Sequence, residues 1–125
     1  MANIGIIRCE KNAQRCPLTN CIKSLRNCQQ GFADYSEAEL MGVFSCHCPG
    51  DNLVNLAKIL QSKGAEAIHF VTCTFADKAE EGWVMGDGFC DSIDELMQKV
   101  AGAVDVPCVK GTAHLPAGYT PQVFK

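Results

Sequence analysis

No stretch of this chain is apolar for long enough to cross a bilayer. Met1 to Glu10 lacks the basic start and extended apolar core of an export signal. Positive charge is not in excess: 11 Lys and Arg face 14 Asp and Glu, a net charge of −3, so nothing favours nucleic acid or an anionic membrane. There is no internal repeat, low-complexity tract or linker. Gly82, Gly86 and Gly88 do not follow a strand and open a helix, as a phosphate-binding loop must. No Ser-His-Asp arrangement or paired-carboxylate site can be read. Hydrophobic content of 47% and charged content of 20% are ordinary for a globular chain. The expectation is a cytoplasmic protein of one domain, residues 1–125, with one core.

Against these absences stand nine cysteines: Cys9, Cys16, Cys21, Cys28, Cys46, Cys48, Cys73, Cys90 and Cys108. In a secreted chain they would suggest disulfides. Their number is odd and no export signal is visible, so in a reducing compartment they point to metal or redox chemistry. A free cysteine is also a small apolar residue that packs well, and several are expected to do only that.

The stretch Val43-Phe44-Ser45-Cys46-His47-Cys48-Pro49-Gly50-Asp51 concentrates soft ligands where a strand ends and a helix begins. In open α/β sheets that edge is where sites are built. The rest of the chain alternates in the same way. Asn3 to Arg8 reads as a strand, Asn20 to Gln30 as a helix capped by Thr19 and closed by Gly31, and Ala38 to Phe44 as a second strand. Asp51 to Lys63 carries the stripe Leu53, Leu56, Ala57, Leu60, with Asp51 as N-cap and Gly64 after its end. Ala67 to Val71 is nearly continuously apolar, as a parallel strand covered on both faces should be. Ala76 to Glu81 is compatible with a helical turn inside an irregular loop. Ser92-Ile93-Asp94-Glu95 is a capping box opening a further helix. Val106 to Lys110 is a last strand, with Pro107 suggesting an edge position, and the tail to Lys125 reads as irregular. This alternation implies a small open parallel sheet of about four strands with helices on both faces, flavodoxin-like or Rossmann-like.

On that fold Cys9 follows the first strand, Cys46 and Cys48 the second, Cys73 the third and His114 the fourth. Parallel strands point one way, so these residues meet at one edge, and Cys16 and Cys90 lie in crossover loops leaving it. Thiols gathered near helix N-termini ionise more readily, and thiolates together repel unless a cation joins them. Thiolates favour zinc, copper(I) and iron–sulfur clusters. Zinc takes four ligands in a tetrahedron and cubane clusters usually take four cysteines. The candidate ligands are therefore Cys9, Cys46, Cys48, Cys73, Cys16, Cys90 and His114. A C-x-C pair in extended backbone points to opposite faces, so a turn at His47 is needed to bring Cys46 and Cys48 together. Cys21 can ligate or pack; Cys28 and Cys108 are expected to pack. His69, in a covered strand, is expected to be a hydrogen-bonded buried histidine. Trp83 can shield the site or simply pack.

Several short pieces, in order, resemble the CGGC domain family: Ile6-Ile7-Arg8-Cys9, Cys16 and Cys21 before a helix, and Phe44 leading to Cys48-Pro49-Gly50. Gly64-Ala65-Glu66 with Ile68-His69 and Cys73 follow, then Cys90, then Gly111-Thr112 with His114. The resemblance implies a metal site of cysteines and histidines, carried over to Cys9, Cys48 and Cys73, then Cys46 and His114, and no reaction. The namesake motif differs. Where the family reads Cys-Gly-Gly-Cys, this chain reads Ser45-Cys46-His47-Cys48, so a thiolate ligand has moved by one residue or been lost. One residue, Ala113, is inserted before His114.

Three readings follow. The first is a cysteine-ligated metal protein, holding an iron–sulfur cluster or zinc, in redox or metal handling. The second is a metal-free thiol/disulfide redox protein using Cys46 and Cys48, since a C-x-C disulfide is strained and oxidising. The third is a structural zinc-binding interaction module.

Overall fold

The computed structural model describes residues 2–14, 16–86 and 88–125. Its centre is a five-stranded sheet of β1 (Ala2–Cys9), β2 (Ala38–Cys46), β3 (Ala67–Phe70), β6 (Cys108–Lys110) and β7 (Gln122–Phe124), in the order β2-β1-β3-β6-β7. The first four run parallel, and β7 is antiparallel to β6. This is the strand order of flavodoxin-like sheets with the last strand reversed, and its switch point lies at β1, between β2 and β3. The helices are α1 (Glu10–Ala13), α2 (Thr19–Arg26), α3 (Leu53–Ser62) and α4 (Ile93–Ala103). Among the described residues no helix is long and apolar enough to cross a membrane.

Two apolar clusters hold the layers together. On one face Ile7, Ile68 and Phe70 of the sheet meet Leu53, Ala57 and Leu60 of α3 and Leu96, Met97 and Val100 of α4. On the other, Ile4, Ile6 and Ala67 meet Leu18, Leu25 of α2 and Phe32. Each large side chain taken fully from water contributes about 1.5–3 kcal/mol.

The β1–β2 ladder has one irregularity with consequences at the site. Ile4 pairs with Leu40 but Gly5 pairs with Gly42, so Met41 is an extra residue in β2. Such a bulge reverses which face later side chains occupy. Ala38 and Leu40 pack on the α2 side, whereas Phe44 and Cys46 pack on the α3/α4 side.

Several expectations are corrected. Ala76 to Glu81 is not a helical turn: β4 (Ala76–Ala79) and β5 (Gly82–Met85) form an antiparallel hairpin. Gly82, at φ +118°, closes its two-residue turn, a conformation other residues adopt poorly. The tail is not irregular throughout, because Gln122 to Phe124 pairs with β6. That makes β6 an inner strand despite Pro107. The proline precedes the paired residues, and only its carbonyl is used, accepting from the Ile68 N–H at 3.0 Å. The second helix ends at Arg26 rather than Gln30, and its N-cap is Leu18, with Thr19 already helical. Asn52, not Asp51, is the N-cap of α3. Ser92 occupies the N-cap of α4 without making a side-chain capping hydrogen bond.

Candidate metal centre

Cys9 ends β1 and Cys46 ends β2, and the two are register partners on neighbouring parallel strands. Strands pair at about 4.8 Å, so two thiols on one face at one rung are neighbours. Both line a cavity of about 270 Å³ at the carboxyl edge of the sheet.

Cys48 reaches the same cavity because the chain leaves β2 at His47 and bends. The Gly50 N–H returns to the His47 carbonyl at 2.6 Å, with Gly50 at φ +95°. Glu10 holds this bend from outside. Its carboxylate accepts from His47 Nδ1 and from the Cys48 N–H at 3.3 Å. Those contacts, that to His47 foremost, hold the Glu10 carboxyl below the usual carboxylate range. The turn that a C-x-C pair needs is therefore present.

Cys90 arrives from the loop before α4. Backbone bonds dock that loop on the turn after β3: Phe89 N–H to the Cys73 carbonyl and Cys90 N–H to the Thr74 carbonyl, both 2.9 Å. Gly88 is needed for this fit, since a Cβ there would stand 2.5 Å from the Phe75 nitrogen. Lys11 Nζ donates to the Phe89 carbonyl at 3.1 Å and ties the loop to α1. The cavity between the four thiols is floored by Ile7, Leu53, Phe70, Ile93 and Leu96.

This setting favours the protonated form of Cys9 and of Cys46. Burial pushes Cys9 up and Cys46 to about 11, and the proximity of Cys48 and Cys90 adds to both. The Lys11 N–H, donated to the Cys9 sulfur, works the other way. A bound cation would reverse this balance by replacing protons, as thiolate sites require.

The other predicted ligands are placed differently. Cys73, in the turn after β3, belongs with Cys16 and Cys21, all three packed against the cluster on the α2 side of the sheet. Burial raises Cys73 to about 11 and raises Cys21 as well. Asn12 Nδ2 donates to Cys73 Sγ at 3.5 Å, and Cys21 Sγ lies 3.1 Å from Thr112 Oγ1. His114 is not brought to the thiols of the cavity. Its ring stacks on Trp83 at 4.9 Å and 11°, and its Nε2 lies 3.0 Å from Asn20 Nδ2. Trp83 thus stacks on a histidine and packs against the core cluster on the α3/α4 side, and it does not line the cavity of Cys9 and Cys46. Cys108 is fully buried in the core, as expected. Cys28 sits beyond the end of α2 at φ +51°, half-buried, and not on a helical face.

Among the described residues no set of three or more His, Cys, Asp or Glu stands so as to hold a single metal ion. The donor chemistry fits a soft metal; the arrangement surrounds a space rather than converging on a point. Two parts of the site escaped sequence reasoning. Glu10 as a clamp could have been suspected from its place directly after Cys9. The side of the sheet on which Cys46 stands could not, because it depends on the bulge at Met41.

The fold and the thiol-lined edge define a small flavodoxin-like α/β protein of cysteine-rich type. The CGGC domain model matches residues 3–113, and the chain belongs to that family. It is similar to "Uncharacterized protein MJ0582" of Methanocaldococcus jannaschii, 30% identical over 116 residues that cover 87% of this chain and 84% of that one. No solved structure matches the chain.

Proposed function

We propose that this is a metal-binding protein whose centre is held by Cys9, Cys46, Cys48 and Cys90, with an iron–sulfur cluster as the group that best suits the cavity. The observation that carries this reading is the space itself. Four cysteines from three separate segments line one cavity of about 270 Å³, while no three donors among the described residues converge on one ion. Zinc needs its sulfurs about 2.3 Å from a single point. A cluster spreads its cysteine ligands around a larger body, and its potential is tuned by burial and by hydrogen bonds to sulfur. The apolar floor and the Lys11 N–H on Cys9 supply both. The role is redox or metal handling; the chemistry supplied by a cluster when bound is one-electron transfer.

The test is reconstitution with iron and sulfide in the absence of oxygen. The expected product is brown, absorbs in the visible, and carries iron and sulfide in matching stoichiometry. A colourless protein holding one zinc would replace this reading with that of a structural zinc module. A protein that takes no metal and titrates reversibly through Cys46 and Cys48 would replace it with a metal-free thiol/disulfide redox protein.

A further inference from the structure

We propose that Cys9 and Cys46 close a reversible disulfide across the β1–β2 ladder of the metal-free chain, and that this bond shuts the cavity to its metal. The second half rests on the metal-binding reading above; the first does not.

The backbone fixes the pair. Cys9 and Cys46 are register partners on the last rung of two parallel strands. Ile7 and Phe44, two residues earlier on the same strands, are also partners, and both pack on the α3/α4 side. Side chains alternate along a strand, so Cys9 and Cys46 share that side, and both line the cavity there. Register partners on neighbouring strands stand about 4.8 Å apart, within the Cα separation of roughly 4.4–6.8 Å that a disulfide spans. Among the described residues no other two cysteines face each other across a ladder.

Position within the ladder matters as much as distance. Parallel neighbours hold their Cβ atoms side by side, farther apart than the ~3.8 Å of a relaxed disulfide. An internal rung is held by pairs on both sides and resists closing that gap. This rung is the last: beyond it β1 passes into α1 and β2 into the bend at His47. The strand ends can draw together while the ladder below stays paired. The bond keeps some strain, and strained disulfides are the readily reduced ones. A Cys46–Cys48 bond would instead close a small ring within one segment. The bend of that segment is already held, by Glu10 on the Cys48 N–H and by Gly50 on the His47 carbonyl. The cross-strand bond leaves that bend in place.

Burial sets the order of events. Cys46 is half-buried and Cys9 is only 4% exposed. Of the pair, Cys46 therefore meets a small-molecule disulfide, R–S–S–R, first. Its thiolate attacks one sulfur and expels R–S⁻. The Cys9 sulfur then attacks the Cys46 sulfur and expels the second R–S⁻. The two cysteines lose two electrons and two protons, and the oxidant leaves as two thiols. The Lys11 N–H on the Cys9 sulfur favours the thiolate that the second step needs. Closure withdraws two of the four ligands, and Cys48 and Cys90 are too few for a cluster that takes four cysteines.

The experiment treats the metal-free, reduced full chain with oxidised glutathione under native conditions. Remaining thiols are alkylated in denaturant, and linkages are mapped by mass spectrometry. Portions are offered iron and sulfide without oxygen, before and after dithiothreitol. Cys9–Cys46 should be the predominant linkage, in the wild type and in a C48S variant alike. The oxidised wild type should take up about tenfold less iron than the reduced chain, since two ligands are withdrawn, and dithiothreitol should restore uptake. A predominant Cys46–Cys48 linkage, or a Cys9 that is alkylated after oxidation, would overturn the bond and the proposal with it. An oxidised chain that carries the linkage and still loads iron fully would overturn the gate. A reduced chain that takes no iron would end the cluster reading and the gate together, while the linkage map alone still decides the bond.

Discussion

Cys9 and Cys46 occupy the same rung of the β1–β2 ladder, on the same face, at the carboxyl ends of both strands. They do so because Met41 is an extra residue in β2, which turns Cys46 from the α2 side toward α3 and α4. Without the bulge the two thiols would be divided by the sheet.

If this pair anchors the centre, Cys9→Ser and Cys46→Ser should each abolish the visible chromophore of reconstituted protein. Cys108→Ala should leave it intact. Cys108 is fully buried, so that change should cost about 1–2 kcal/mol in urea-induced unfolding through the small cavity left behind. A chromophore that survives loss of Cys9 would remove this residue from the ligand set.

Glu10 positions Cys48 without being a ligand. Glu10→Gln weakens the clamp on His47 and the Cys48 N–H. Outer-shell changes of this kind typically cost about 10–100-fold in metal affinity. The expected readout is faster metal release to a chelator with an unchanged circular dichroism spectrum. The clamp has a pH limit. The Glu10 carboxyl is held below its ordinary value of 4.5, so its contribution is present above that value and is lost as pH falls through the lowered one. Metal release in wild type should therefore accelerate in acid toward the rate of the variant.

Metal uptake should release protons. Cys46 is raised to about 11 and Cys9 is also raised, so at neutral pH both enter as thiols and leave their protons to the buffer. Calorimetry in buffers of different ionisation enthalpy should register this release, and affinity should climb as pH increases. The metal-free protein should show the opposite trend at high pH. Cys46, Cys73 and Cys108 all sit at about 11, above the ordinary 9.0, so the unfolded chain loses these protons first. Stability is then full below pH 9 and falls between pH 9 and about 11.

His69 predicts an acid limit. A carbonyl can only accept, so Nδ1 donates to Gly111 at 2.9 Å, leaving Nε2 to accept from the Tyr35 hydroxyl at 2.8 Å. Burial lowers this histidine from 6.5 to about 4. Below pH 6.5 the unfolded chain takes a proton that the folded chain refuses until about pH 4. Stability should drop across that window by on the order of 3 kcal/mol. Urea midpoints at pH 7.5 and 4 measure it. His69→Gln should be less stable at pH 7.5 and should show a smaller loss between the two.

Trp83 is the sole tryptophan, and it stacks on His114. Burial, followed by the charge of Lys78, lowers His114 below 6.5. Protonation of the stacked ring should quench indole emission, giving a fluorescence transition with its midpoint below pH 6.5. His114→Gln should abolish that transition. A transition that persists in the variant would mean that the indole reports another group.

The parallel α/β architecture was legible in the chain because apolar strand runs and amphipathic helices alternate with cap and turn residues. Placing thiols after successive strands followed from the same alternation. The hairpin at Ala76 to Met85 and the strand at Gln122 to Phe124 were not legible. Each is short, and each is held by partners distant in sequence or by one glycine turn: β7 by Cys108 to Lys110, and the tail by the Tyr119 hydroxyl on the Lys110 carbonyl at 2.7 Å.

The residues alone determined that soft ligands would crowd the carboxyl edge of a sheet, since strand direction and cysteine position are both local properties. Which thiols share a face was decided by tertiary structure. Side-chain direction reverses with every residue, and a single bulge at Met41, created only when β2 pairs with β1, settles the side on which Cys46 stands.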